Sequence, residues 1–246
     1  VPYFQPQMDA KTRRIVGVET LVRWPSPELG LLQPQQFLPT AQKLSIVEDI
    51  DDIIFRNAIA EISALRQDGL AIEKLAFNVT APRILDPRIV KTVTAARPEG
   101  LTIAFEVLES VLVEEQSDRF RLCVDTLREA GISIEVDDFG SGHASVIGLM
   151  QLMPDAMKID RRLTRGAGDH AMHRDILRNV VGIAESLELT VIAEGVETLD
   201  LADCLTDLGC DVLQGFAFAR PMPAVELRRF MTDVPLDRPR ATNAGP

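Results

Sequence analysis

Short apolar runs that close on polar or charged residues recur along this chain, and longer stretches with helical spacing separate them. The runs are Lys74–Asn78, Leu101–Glu106, Ile132–Asp138, Ala156–Ile159, Thr190–Glu194 and Asp211–Gln214. Near-continuous apolar runs of this length read as strands covered on both faces, as in a parallel sheet wrapped by helices. Between them, Ile50, Ile54, Ala58 and Ile62 fall at i, i+4 intervals and predict an amphipathic helix over roughly 48–66. Ser117 as N-cap and Gly131 as stop frame a second helix over 117–130, and Thr198 and Gly209 frame a third over 198–208. Met172, Ile176, Val180, Ile183 and Leu187 mark the expected buried face of a helix between two strands. The chain opens on a hairpin, Tyr3–Met8 and Ile15–Trp24 around the polar turn Asp9–Thr12. Repeated βα units of this number predict class α/β and favour a (β/α)8 TIM-like barrel over an open doubly wound sheet.

At 246 residues and 46% hydrophobic content the chain suits one large core, so a single barrel domain is expected over 1–232. Residues 233–246, polar and rich in Pro, are expected to form a disordered, dispensable tail. Val1 rather than Met stands first and a strand begins at once, so the chain is expected to be a piece of a longer protein with regulatory domains upstream.

The ionisable residues carry the functional signal. Glu19, Asn78, Glu106, Asp137, Asp138, Lys158, Glu194 and Gln214 stand at or near the ends of the apolar runs. In a barrel the C-terminal strand ends form one face, so residues scattered in sequence would meet there. Several carboxylates cannot sit together ionised without a compensating cation. Oxygen donors with one amide, and no His or Cys, suit Mg²⁺ or Mn²⁺ better than Zn²⁺. The adjacent pair Asp137 and Asp138 suggests two ions, the arrangement that stabilises both attacking and leaving oxygens in phosphoester displacement. Lys158 is either a salt-bridge partner for these acids or a stabiliser of phosphate charge, and both roles are compatible.

Other signals are weaker. Asp138-Phe139-Gly140 spells a kinase-like triplet, but the strand Lys and catalytic loop of kinases are absent. Gly140-Ser141-Gly142 lacks the rest of a dinucleotide fingerprint and reads as a turn. His170 and His173 lie one helical turn apart with no partner to complete a metal set, and are expected to be exposed at a helix start. Cys123, Cys204 and Cys210 are odd in number and lack C-x-x-C spacing, which predicts reduced core thiols in a cytoplasmic protein. A net charge of −11 argues against binding polymeric nucleic acid. No run of about 18 uncharged apolar residues and no signal-peptide layout occur, so no membrane contact by this segment is expected.

The segments Phe4-Gln5-Pro6, Glu19-Thr20-Leu21-Val22-Arg23-Trp24, Phe77-Asn78-Val79, Glu106-Val107-Leu108-Glu109-Ser110, Asp137-Asp138-Phe139-Gly140, Lys158-Ile159-Asp160, Ala193-Glu194-Gly195-Val196-Glu197 and Gln214-Gly215-Phe216 occur in this order. Together they resemble the EAL domain of cyclic di-GMP phosphodiesterases, from Tyr3 to about Phe230. The resemblance implies a barrel with its first strand antiparallel to the rest, which the opening hairpin suggests independently. It implies hydrolysis of cyclic di-GMP to linear pGpG, with Glu19, Asn78, Glu106 and Asp137 holding one metal ion and Asp137, Asp138 and Glu194 the other. Lys158 would stabilise the transition state, Gln214 would support the site, and Gln5 and Arg23 look like ligand contacts. Glu109 looks like the family residue that braces the loop after Asp138, and Asp160 is a further candidate for the metal set. A homodimer through the edge near 140–150 is also implied.

Two departures stand out. Thr20 replaces the Ala of the family's name motif, but its side chain should point away from that of Glu19. Ser141, Gly142, His143 and Ala144 replace a Thr-Gly-Tyr-Ser run, in a loop similar to one that links dimer interface to site. The rival readings are a receptor that binds the dinucleotide without cleaving it, and a barrel hydrolase of another phosphoester. The first usually lacks metal ligands, all of which survive here, and the second has no need of Arg23 and Gln214 together.

Overall fold

The computed structural model describes residues 1–95, 97–111, 117–142 and 146–233. Eight strands close into a barrel in the order β1 (Pro2–Asp9), β10 (Val212–Leu213), β9 (Thr190–Ala193), β8 (Ala156–Ile159), β7 (Ile132–Phe139), β6 (Thr102–Leu108), β5 (Lys74–Asn78) and β2 (Ile15–Val22). β1 runs antiparallel to both neighbours, and every other pairing is parallel. The β1–β2 turn forms as its residues suggest. The Asp9 carboxylate accepts from Lys11 N at 3.1 Å and Thr12 N at 2.6 Å, a side-chain substitute for backbone turn bonds. β2 stops at Val22, earlier than expected, because Trp24–Ser26 (β3) turns away to pair with Gly30–Leu32 (β4) in a separate ribbon.

Strand parity divides the side chains into two populations. Phe4, Val18, Leu75, Phe77, Ile103, Phe105, Ile134, Val136, Met157, Ile159 and Val191 join Phe55, Ile59 and Val181 of the helices in one large core. That core therefore lies between the barrel wall and its helical jacket. The alternate residues point inward, where Ala156, Ile192 and Val212 form a small separate cluster. Much of the remaining interior is polar: Gln5, Gln7, Glu19, Glu106, Glu135, Asp137 and Lys158 are all buried. Below the mouth, Lys74 Nζ pairs with Glu135 at 2.6 Å. Gly17 makes room for that Lys, since a Cβ there would lie 2.8 Å from Lys74 Cβ.

The helix Val47–Gln67 buries Ile54, Ala58 and Ile62 as expected. Ser117 Oγ accepts from Phe120 N at 3.2 Å and Thr198 Oγ1 from Leu201 N at 3.1 Å, so both expected caps form. The helix Ala171–Ser186 corrects the sequence reading. Its buried residues are Leu177, Val181 and Ala184, while Met172 and Ile176 are exposed. Two apolar stripes run side by side here, and the barrel selects the one displaced by a single residue. At the C-terminus the helix Ala224–Asp233 runs one residue past the expected domain end at 232. The expected tail beyond it, and His143 and Ala144 of the substituted loop, lie outside the described residues. Cys123, Cys204 and Cys210 are free thiols, and only Cys210 is fully buried. His170 is exposed, but His173 is half-buried.

Candidate active site

The inward parity carries Glu19 (β2), Asn78 (β5), Glu106 (β6), Asp137 (β7) and Lys158 (β8) to the C-terminal mouth of the barrel. Glu194 and Gln214 follow directly after β9 and β10. Lys158 is the hub. Its Nζ lies 2.8 Å from Glu194 Oε1, 2.9 Å from Glu106 Oε2, 3.2 Å from Asp137 Oδ1 and 3.6 Å from Glu19 Oε2. Burial acts against the ammonium, yet Asp137, Glu106, Glu19 and Glu194 outweigh it and raise its pKa well above the ordinary lysine value.

Around that cation the carboxyls divide. Glu19 accepts from Asn78 Nδ2 at 2.7 Å and from Gln214 Nε2. Burial opposes its charge, but Lys158 and these amides hold it below the usual carboxylate range. Glu106 goes the other way, pushed well up by burial and by the Glu19 charge. Burial, with Asp137 and Glu19 adding to it against Lys158, lifts Glu194 to about 8. Asp138 is lifted to about 6 by burial, Asp137 and a side-chain hydrogen bond with Asp160. One ammonium cannot balance so many acids, and without metal some of them keep their protons at neutral pH.

The donor set fits a hard divalent cation. Asp137, Asp138 and Glu194 each offer an oxygen within 4.8 Å of the others. Glu106 Oε1 is buried with no hydrogen-bond partner among the described residues. Such an atom carries a desolvation cost that a cation would relieve. Asp138 holds a left-handed backbone, φ 57°, a conformation that costs on the order of 1–3 kcal/mol unless its surroundings impose it. Glu109 supplies part of that constraint: its Oε2 accepts from Gly140 N and Ser141 N, both at 3.1 Å, and from Ser141 Oγ at 3.3 Å.

The remaining sequence candidates lie around this cluster. Gln5 donates to Ala219 O at 3.2 Å and accepts from Gln214 Nε2 at 3.3 Å. Arg23 stands to one side, its Nη1 on Val22 O at 2.9 Å and its guanidinium 5.8 Å from the Tyr3 ring centroid. It lines a cavity of about 310 Å³ with Trp24 and Phe37. Thr20 is buried and lines a cavity with Ile54, Phe55 and Phe77, and strand alternation puts its side chain on the face of β2 opposite that of Glu19. Asp160 caps the helix Arg161–Thr164, with Oδ1 accepting from Arg162 N at 2.7 Å and Arg162 Nε at 2.8 Å. Two participants escaped the sequence reading. Gln7 donates to Gln214 Oε1 at 2.9 Å and was legible in principle, two residues beyond Gln5 on the same strand face. Arg162 carried no sequence signal, since nothing local shows an exposed Arg folding back onto Asp160.

A family model described as "EAL domain" matches residues 1–221. The bifunctional diguanylate cyclase/cyclic di-GMP phosphodiesterase MucR of Pseudomonas aeruginosa is 33% identical over 231 residues, covering 92% of this chain and 34% of that protein. A solved structure described as the PaMucR phosphodiesterase in a c-di-GMP complex superposes with a TM-score of 0.82 at 33% identity, covering 92% of this chain and 93% of that one. The Klebsiella pneumoniae BlrP1 calcium and cyclic di-GMP complex gives 0.74 at 28% identity, covering 90% and 55%. The chain spans about a third of the length of the curated relatives it matches. With its barrel topology, its mouth of oxygen donors and a family match over nine-tenths of its length, the chain belongs to the EAL domain family.

Proposed function

We propose that this domain is a divalent-metal-dependent phosphodiesterase that opens cyclic di-GMP to linear pGpG. One observation carries the reading: carboxylate oxygens of Glu19, Glu106, Asp137 and Glu194 gather on Lys158 at the barrel mouth, with Asp138 beside Asp137 and Glu194 and the Asn78 amide on Glu19, in a chain similar to a phosphodiesterase solved with c-di-GMP. Glu19, Asn78, Glu106 and Asp137 would hold one Mg²⁺ or Mn²⁺, and Asp137, Asp138 and Glu194 the second. Ions there supply an activated water and neutralise charge on the phosphate.

The chain's own groups do the rest. Lys158, kept charged by its neighbours, offers its ammonium to the charge that develops on the phosphate oxygens. Gln214, held from one side by Gln7, fixes the orientation of Glu19. Gln5 and Arg23 border the mouth as substrate contacts, and Glu109 holds the strained Asp138 turn in place. Survival of every candidate metal ligand favours the enzyme over a receptor that only binds.

We further propose that the domain works as a homodimer through the helix Val146–Leu152, where Val146, Ile147, Met150 and the adjoining Met153 are exposed. Its site of action is the cytoplasm, and regulatory domains belong to the parent chain. No helix among the described residues is long and apolar enough to cross a membrane.

Incubating the purified domain with cyclic di-GMP and Mg²⁺ or Mn²⁺, with chromatography of the products, tests the reading. Production of pGpG by the parent, abolished by chelation and by Glu19→Ala with the melting profile retained, is the expected result. Tight binding without product would favour a receptor, and no binding would overturn the ligand.

A further inference from the structure

Besides Lys158, a second protein cation stands at the edge of the Asp137, Asp138 and Glu194 group, held by Asp160. Asp160 N donates to Phe139 O at 3.1 Å, next in the chain to Asp138, and Asp160 Oδ1 is occupied by two donors from Arg162, the backbone N at 2.7 Å and Nε at 2.8 Å. The Asp160 side chain is nearly buried, while that of Arg162 is 61% exposed, so the guanidinium reaches in from the rim of the mouth. Asp160 is absent from the trio whose oxygens gather within 4.8 Å. The Arg162 charge also acts on Asp160 directly, and Asp138 on Arg162.

We infer that Arg162 is a resident cation that keeps Asp160 out of the metal set and raises the divalent-ion concentration at which the second position of the site fills. The inference rests on the two-ion reading above. Two physical effects act in the same direction. A fixed positive charge on Asp160, at the edge of the acidic group, repels an incoming divalent ion. Holding Asp160 Oδ1 with two donors denies that ion a further carboxylate, direct or through water. Arg162 is a positioning residue under this reading, acting on the metal through Asp160 and touching no substrate.

The test is Mn²⁺ binding without substrate, followed by calorimetry and by the resonance signal of free Mn²⁺, on the parent, Arg162→Gln and Arg162→Lys. The parent should bind two ions of unequal affinity. Arg162→Gln should tighten the weaker one about threefold, the scale set by an exposed ion pair, and Arg162→Lys, which keeps the charge, should stay close to the parent. Raising the salt to about 0.5 M should shrink the difference, since exposed charge is screened. Unchanged or weakened second-ion binding in Arg162→Gln, with two ions still bound by the parent, would overturn the role of Arg162 alone. A parent that binds fewer than two ions would overturn the two-ion reading and this inference with it. A melting profile of Arg162→Gln matching the parent's shows that the comparison concerns folded protein.

Discussion

A buried ammonium among carboxylates is tolerable only while each side neutralises the other, and removing one side alone leaves uncompensated charge in the interior. Lys158 stands in that position, within 3.6 Å of four acids. Lys158→Met should therefore destabilise the metal-free domain by about 3–5 kcal/mol in urea unfolding. The loss should be larger at pH 8 than at pH 5.5, where protons can replace the missing cation. Saturating Mn²⁺ should recover most of the stability and none of the hydrolysis. At this scale the sequence was most legible where charge breaks an apolar run, because an acid or Lys at a buried strand end demands a reason. It was silent where a polar contact spans distant segments: neither Gln7 on Gln214 nor Arg162 on Asp160 leaves a periodic trace.

Elements show where pattern reading succeeds and where it fails. The Ser117 and Thr198 caps formed because a hydroxyl accepting from N3 is a local bond, independent of tertiary context. The buried face of Ala171–Ser186 came out one residue away because Ile176 and Leu177, like Val180 and Val181, offer two adjacent apolar stripes, and packing against the barrel chooses between them. That choice can be measured. Leu177→Ala should cost about 2–5 kcal/mol, as a core truncation does, whereas Ile176→Ala, at 43% exposure, should cost less than about 1 kcal/mol. Equal losses in thermal melts would mean the helix is rotated from its described position. Trp24, the first residue of β3, was read as the end of β2, since Val22-Arg23-Trp24 carries strand propensity without a turn signal.

At the scale of the whole molecule, the clustered acids tie stability to pH. Glu194 has a pKa near 8 in the fold against an ordinary value of 4.5, and Asp138 near 6 against 3.8. The native state therefore holds protons that the unfolded chain releases, and stability is lost as pH rises from about 4.5 towards 8. The metal-free domain should melt several degrees lower at pH 8 than at pH 5.5, at about 2–4 °C per kcal/mol for a chain of this size. Divalent ions, which replace those protons, should flatten the slope, and a flat metal-free profile would contradict the shifted acids. Assembly is tested separately: Ile147→Glu should shift the sedimentation of the domain from dimer to monomer without lowering its melting temperature. The α/β barrel could be read from its repeating units, but the division of its strands into an apolar outside and a polar inside could not, because both faces are buried and only the closed ring distinguishes them. That division makes the molecule intolerant in one particular way. A one-residue slip in β6 or β7 exchanges the two faces, sending Glu106 or Asp137 into the apolar jacket and Phe105 or Val136 into the mouth. Length changes are thus confined to the connecting segments, and new sensitivity to signals can be added there while the acidic ring stays in register.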